Sequence, residues 1–204
     1  MKNFLARYSY DFVKMFLDQF AIAVFGFSLA MTATVAKSDL LLWLSSVGSI
    51  IFYLMLIYGV AWKIGYSDRP AIRRGETTYF PFKGALISLC ANSINIILAI
   101  AVSIEYFTGN AGATFIRGAA LLLQAEFMGL LSFIQFGGAP LNEQWWIYFV
   151  IILPSVLVST LGYVLGHKEI HFTNSVMPEI PASDRPTKEE RRAARRAKKD
   201  NIEK

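Results

Sequence analysis

The sequence predicts an all-α fold, a polytopic transmembrane helix bundle, and three observations predict it. Of 204 residues, 54% are hydrophobic and only 17% charged, against about 25% charged in an ordinary soluble domain. The charge is unevenly placed, with ten of the twenty Lys and Arg following Gly166. Between the charged segments lie uncharged stretches of the length a spanning helix needs, about 20 mainly apolar residues. The expected arrangement is four spans plus an outer interfacial or re-entrant helix, with five spans as the alternative. Three regions follow: an amphipathic helix at 1–18, the membrane bundle at 19–166 and a basic tail at 167–204.

In the first region, Phe4, Tyr8, Phe12, Phe16 and Phe20 recur every fourth residue, while Arg7, Asp11, Lys14 and Asp18 form the opposite stripe. That is helical spacing with alternating charge signs. It is read as a solvated helix face that lies on the membrane or runs on into the first span. The first span covers 19–36, where Gly26, Ala30 and Thr34 make a small-residue ridge that permits close helix packing. A cleaved signal peptide ending at Thr34-Val35-Ala36 is disfavoured, because acids precede the long apolar region. After a turn at Lys37-Ser38-Asp39, the second span covers 40–62, uncharged, with Trp43 near one end and Tyr58 and Trp62 near the other as interfacial aromatics.

Residues 63–83 read as a loop holding Lys63, Arg69, Arg73, Arg74 and Lys83 against Asp68 and Glu76. The positive-inside rule makes it cytoplasmic. The third span, 84–104, carries Ser88, Asn92, Asn95, Ala99 and Ser103 at spacings of four, three, four and four, all on one helix face. Two asparagines in hydrocarbon need partners, so this face meets other helices or a polar cavity. Packing is favoured over a binding site.

The fourth apolar segment, 115–136, has Gln124 and Glu126 at its middle and Arg117 near its start. A centred acid costs about 2.5–3.5 kcal/mol on insertion scales, against a gain of only about 0.3–0.6 for each Leu or Phe. It is therefore read as lying on or dipping into the outer surface, with Glu126 facing water. The last span, 145–165, follows the breaker cluster Gly137-Gly138-Ala139-Pro140 and contains Pro154, which should kink it. Its small-residue ridge includes Gly162 and Gly166. The tail carries a dense cationic run, with Arg191, Arg192, Arg195, Arg196, Lys198 and Lys199 beside Glu189 and Glu190. It would contact anionic lipid or RNA by charge.

Charge bias decides the topology. The loop at 63–83 and the tail are the two strongly basic regions, and an even number of crossings must separate them. Demoting 115–136 gives four spans with both termini inside, and an outer connection from 105 to 144 that contains only one Lys or Arg, Arg117.

Chemistry-bearing motifs are few. Lys63, Arg69 and Pro70 are spaced one residue short of a membrane lipid-phosphatase signature, whose later elements are missing. His167 and His171 stand four residues apart with no third metal ligand evident. The sequence has no phosphate-binding Gly-rich loop, nucleophile elbow, zinc-protease helix or paired-cysteine motif, and its single Cys90 allows no intrachain disulfide. No cofactor, metal or enzymatic role is expected.

The stretch from Gly65 to Ile87 and the ending Leu-Gly-Tyr-Val-Leu-Gly-His-Lys-Glu-Ile at 161–170 resemble small polytopic membrane proteins of Gram-positive bacteria that have no assigned activity. Asp68, Arg69, Arg74, Gly75, Tyr163, Gly166 and Lys168 carry the resemblance, which implies a bacterial cytoplasmic membrane location. The expected role is a non-enzymatic membrane component that assembles with a membrane-protein partner or with itself. A small-solute transporter, or the membrane subunit of one, is the alternative, with Ser88, Asn92, Asn95 and Glu126 as its polar intramembrane face. Gly26, Ala30, Gly162 and Gly166 are the candidate packing residues.

Overall fold

The computed structural model describes residues 2–109 and 113–170, and the cationic tail run and His171 lie outside the described residues. Among the described residues the fold is helical, and the one sheet is a two-stranded hairpin. Three helices among the described residues are long and apolar enough to cross a membrane, or up to five if each of two bent pairs counts as one span. Only 22–39% of the residues in those three apolar windows are buried, so most of each helix's surface faces outward. Leu17 and Val24, Ile51 and Met55, and Leu157 and Leu161 are among the outward side chains. In water such surface would drive aggregation, whereas hydrocarbon is its natural surrounding.

Helix α1 is Lys2–Val35 and runs unbroken from the amphipathic segment into the first apolar stretch, one of the two arrangements expected. Tyr8 is buried and Phe4 and Phe12 pack against the core, while Phe20 at the other end of the aromatic stripe is exposed. Ser38 caps α2, accepting from the Leu41 N–H. Helix α2 spans Asp39–Arg73 and extends well past Trp62 into the expected loop. The physical reason is a continuous inward face, with Ala61, Ile64, Gly65, Asp68 and Ala71 all buried at helical spacing. Its 35 residues measure about 52 Å at 1.5 Å each, longer than a hydrocarbon core of about 30 Å.

The third expected span is two helices, α3 (Lys83–Ala91) and α4 (Ser93–Thr108), bent by 62° at Asn92. The Asn92 side-chain amide donates to the Ser88 carbonyl at 3.0 Å, the carbonyl that also accepts the Asn92 backbone N–H. Back-bonding of this kind bends helices. The segment at 115–136 is also broken. Helix α5 (Ala113–Leu123) and α6 (Met128–Phe133) flank a 3-10 turn at Ala125–Phe127, with an 86° bend between the arms. Neither arm alone is long enough to cross. A hairpin follows, with Gln135–Phe136 pairing antiparallel to Ala139–Pro140 across two glycines, both at positive φ, as a tight two-residue turn demands. Helix α7 (Ile147–Val150) and α8 (Leu153–His167) form the last apolar stretch. The break between them falls just ahead of Pro154, whose ring would clash with the Val150 carbonyl four residues earlier.

Helix α8 lies between α2 and α3, and its inward face is Ser155, Ser159, Gly162 and Gly166. A Cβ at Gly162 would sit 2.8 Å from the Tyr58 carbonyl oxygen, and one at Gly166 would collide with the Trp62 carbonyl. A Cβ at Gly65 would in turn collide with Tyr163. These glycines bring the two backbones together. In α1, Gly26 lies against Glu126, where a Cβ would come within 2.9 Å of the Glu126 Cα, and Ala30 is buried nearby along the same helix.

Candidate functional site: a polar interior at two helix breaks

Two polar centres lie inside the bundle. The first ties four helix ends together. Asp68, 3% exposed, accepts from the Tyr8 hydroxyl at 2.7 Å, the Tyr163 hydroxyl at 3.0 Å and the Lys83 ammonium at 2.9 Å, with the Arg7 guanidinium 3.6 Å away. Lys83 is itself buried and also donates to the Tyr8 hydroxyl and the Thr78 carbonyl. Removing two charges from water costs several kcal/mol each, so such a pair needs its remaining donors and acceptors satisfied. Here they are. The start of α1, the end of α2, the start of α3 and the end of α8 therefore share one end of the bundle.

The second centre sits where the broken helices meet α1, α2 and α8. Asn92, at the bend between α3 and α4, donates to the Ser155 hydroxyl of α8 at 3.1 Å and accepts from Asn95 at 3.0 Å. Ser88 pairs with Ser155 at 3.4 Å. Tyr53, wholly buried on the inward face of α2, packs edge-on against Phe127, the residue after Glu126, with ring centroids 6.4 Å apart. Glu126 occupies the turn between α5 and α6 and is 0% exposed. The expectation that it faces water is thus reversed. The 86° bend inserts it between α1 and α2 instead of leaving it on an outer surface. Ser46 of α2 clamps this turn, donating to the Glu126 carbonyl at 2.9 Å and accepting from the Leu130 N–H at 3.1 Å. Counted along α1 from Gly26 to Val35, and along α2 from Asp39 to Ser46, Glu126 lies roughly 10–14 Å below the far end of the bundle.

Gln19 of α1 borders the Glu126 carboxyl, yet neither carboxyl oxygen has a partner in hydrogen-bonding geometry. Ser49 Oγ, Asn95 Oδ1 and Gln124 Oε1 are likewise buried without a partner. Buried polar atoms are otherwise nearly always paired, and four of these five carry lone pairs only. An interior of this kind suits a cation, a proton or a ligand rich in hydrogen-bond donors. Among the described residues no group of three His, Cys, Asp or Glu is placed to hold a metal ion.

Comparison with family models, with curated proteins and with solved structures finds no match. The site must be read from its own geometry.

The structure brings Ser88, Asn92 and Asn95 together on one buried face, and buries Glu126 separately at the bend between α5 and α6. Gly26, Ala30, Gly162 and Gly166 pack within the chain. Sequence reasoning placed Ser155 only on the small-residue ridge of the last span, and missed Tyr53, Gln19 and the whole Asp68 centre. A signal was available for some of them. Met15, Gln19, Ile22 and Gly26 step by four, three and four, as do Ser46, Ser49, Tyr53, Ile57 and Ala61 by three, four, four and four. Each run places its polar members on a buried helical stripe.

Proposed function

We propose that this chain is a non-enzymatic, four-span integral membrane protein that admits a small solute to a polar interior centred on Glu126, alone or as the membrane subunit of a transporter. The observation that carries the reading is Glu126 itself, a carboxyl 0% exposed with both oxygens unpartnered, set in a helix break beside a second helix break. Ionisable residues at membrane depth mark solute and ion paths. Irregular backbone at that depth is tolerated only where it is covered by protein or lines a cavity, and discontinuous helices form many transporter binding sites. The unpartnered acceptors favour a cationic or proton-donating solute.

Four crossings follow if α5 and α6 form a re-entrant pair. The end of α2 and the end of α8 then lie on one side, cytoplasmic by their basic flanks, with both termini inside a bacterial cytoplasmic membrane. The assembly reading drew on small-residue ridges, and Gly26, Ala30, Gly162 and Gly166 are taken up by packing inside the chain. That shifts the balance toward transport.

The test is Glu126→Gln, which keeps the side chain's size and removes its ability to ionise. Solute accumulation from a defined medium is compared by mass spectrometry in cells carrying the wild type, the variant or no gene. At least one cationic solute should depend on the chain and be lost with Glu126→Gln at matched membrane levels. If no solute depends on the chain, or the variant accumulates it normally, the reading fails.

A further inference from the structure

We infer that the cleft at the basic end of α2 is a binding site for the phosphate of an anionic phospholipid headgroup. The cleft has a volume of about 510 Å³ and is lined by Lys63, Tyr66, Ser67, Arg69 and Arg73 of α2, together with Glu169 just beyond α8. Three cations thus face one carboxylate, and that carboxylate is engaged by Arg69. Arg69 is held in place by this pair, its side chain 19% exposed. Lys63 and Arg73 stand at either end of the lined stretch, ten residues or about 15 Å apart along the helix.

Depth distinguishes this cleft from a merely solvated basic end. Trp62 stacks on Tyr66 with ring centroids 5.3 Å apart, and paired aromatics of this kind sit at the headgroup level of a bilayer. Lys63 directly follows Trp62, so the cleft begins at that level. Basic pockets between helices on the cytoplasmic side bind phosphate-bearing headgroups. The hydroxyls of Tyr66 and Ser67 add donors of the kind that hold phosphate oxygens. An adjoining, smaller cleft shares Lys63 and Ser67 but is also lined by Asp11 and Asp68. Its two carboxylates are matched by Arg7 and Lys63, whereas the larger cleft sets three cations against one carboxylate and so favours the anion.

The test uses the full chain purified in mild detergent, with phosphatidylglycerol retained per chain read by native mass spectrometry after mixing with phosphatidylglycerol and phosphatidylcholine in equal amounts. The double variant Lys63→Gln/Arg73→Gln should lower phosphatidylglycerol retention about thirtyfold, the effect of two surface cations. Arg195→Gln/Arg196→Gln, a change confined to the tail, should leave it intact, and millimolar glycerol phosphate should not displace the lipid. Equal retention of both lipids, undiminished retention in the Lys63/Arg73 variant, or displacement by free glycerol phosphate would each overturn the inference. The last outcome would assign the cleft to a soluble phosphate.

Discussion

Replacing Asp68 with Asn removes the one anion that two cations and two hydroxyls share. Lys83, 5% exposed, then keeps only the Tyr8 hydroxyl at 3.2 Å and the Thr78 carbonyl at 3.4 Å. Stripping one partner from a buried ion pair costs about 3–5 kcal/mol, because the other charge is left uncompensated. The Asn carbonyl still accepts from a tyrosine, which puts Asp68→Asn at the lower end, about 3 kcal/mol. Lys83→Met should cost less, about 2 kcal/mol, since Asp68 keeps Tyr8, Tyr163 and the half-exposed Arg7. The double variant removes both charges and should be more stable than Asp68→Asn alone. The four tryptophans report unfolding by fluorescence in a titration of mixed micelles with a denaturing detergent. In a thermal melt, a two-state domain of this size shifts about 2–4 °C per kcal/mol, so Asp68→Asn should melt roughly 6–12 °C lower. A loss below about 1 kcal/mol for Asp68→Asn, or a double variant no better than that single one, would refute the view that this centre is a desolvated ion pair tying helix ends.

Two further predictions concern packing and charge. Gly166→Ala should destabilise the bundle by about 1–3 kcal/mol through overpacking, because its Cβ meets the Trp62 backbone. Gly59→Ala, whose Cβ meets nothing within 4 Å, should be neutral or stabilise by up to about 1 kcal/mol, and the same melt reads both. In the turn after α2, the Arg74 guanidinium hydrogen-bonds Glu76 at 2.5 and 3.1 Å and holds its carboxyl below the ordinary value of 4.5. A depressed folded value means that any stability from this pair is present above the ordinary carboxylate range and is lost as pH falls through the folded value. Arg74→Ala should return the Glu76 titration, followed by carboxyl NMR, to about its ordinary value, with no change in melting at neutral pH for so exposed a pair.

Long apolar runs were the most legible part of the fold, because a bilayer demands length and composition, and both are local properties of sequence. The stripe Ser88–Asn92–Asn95 was legible for the same reason: helical phase alone puts those residues on one face. What was not legible is where helices break and what a break places inside. The acid at Glu126 argued against a simple span, and the segment is broken by an 86° bend, but insertion cost cannot tell a helix on the surface from a bend that buries its own carboxyl. The full extent of α2 was hidden because charges at Lys63, Asp68 and Arg69 resemble a loop when counted. Their phase, with Asp68 inward, shows a helix. The small-residue ridges carry a similar ambiguity, since close packing reads alike within a chain and between chains. Asp68 and Lys83 lay in one apparent loop, and Tyr8 and Tyr163 lie 60 and 95 residues from Asp68, a separation that no local pattern bridges.

The most direct test of the four-crossing bundle with a re-entrant pair is cysteine labelling in intact cells, in a Cys90→Ser background, with a membrane-impermeant maleimide. The account predicts that Asn142→Cys labels in intact cells, while Glu76→Cys and Asn201→Cys label only after lysis. If Asn201→Cys labels in intact cells and Glu76→Cys does not, an odd number of crossings separates them. The segment holding Glu126 would then span the membrane, and the account would be contradicted.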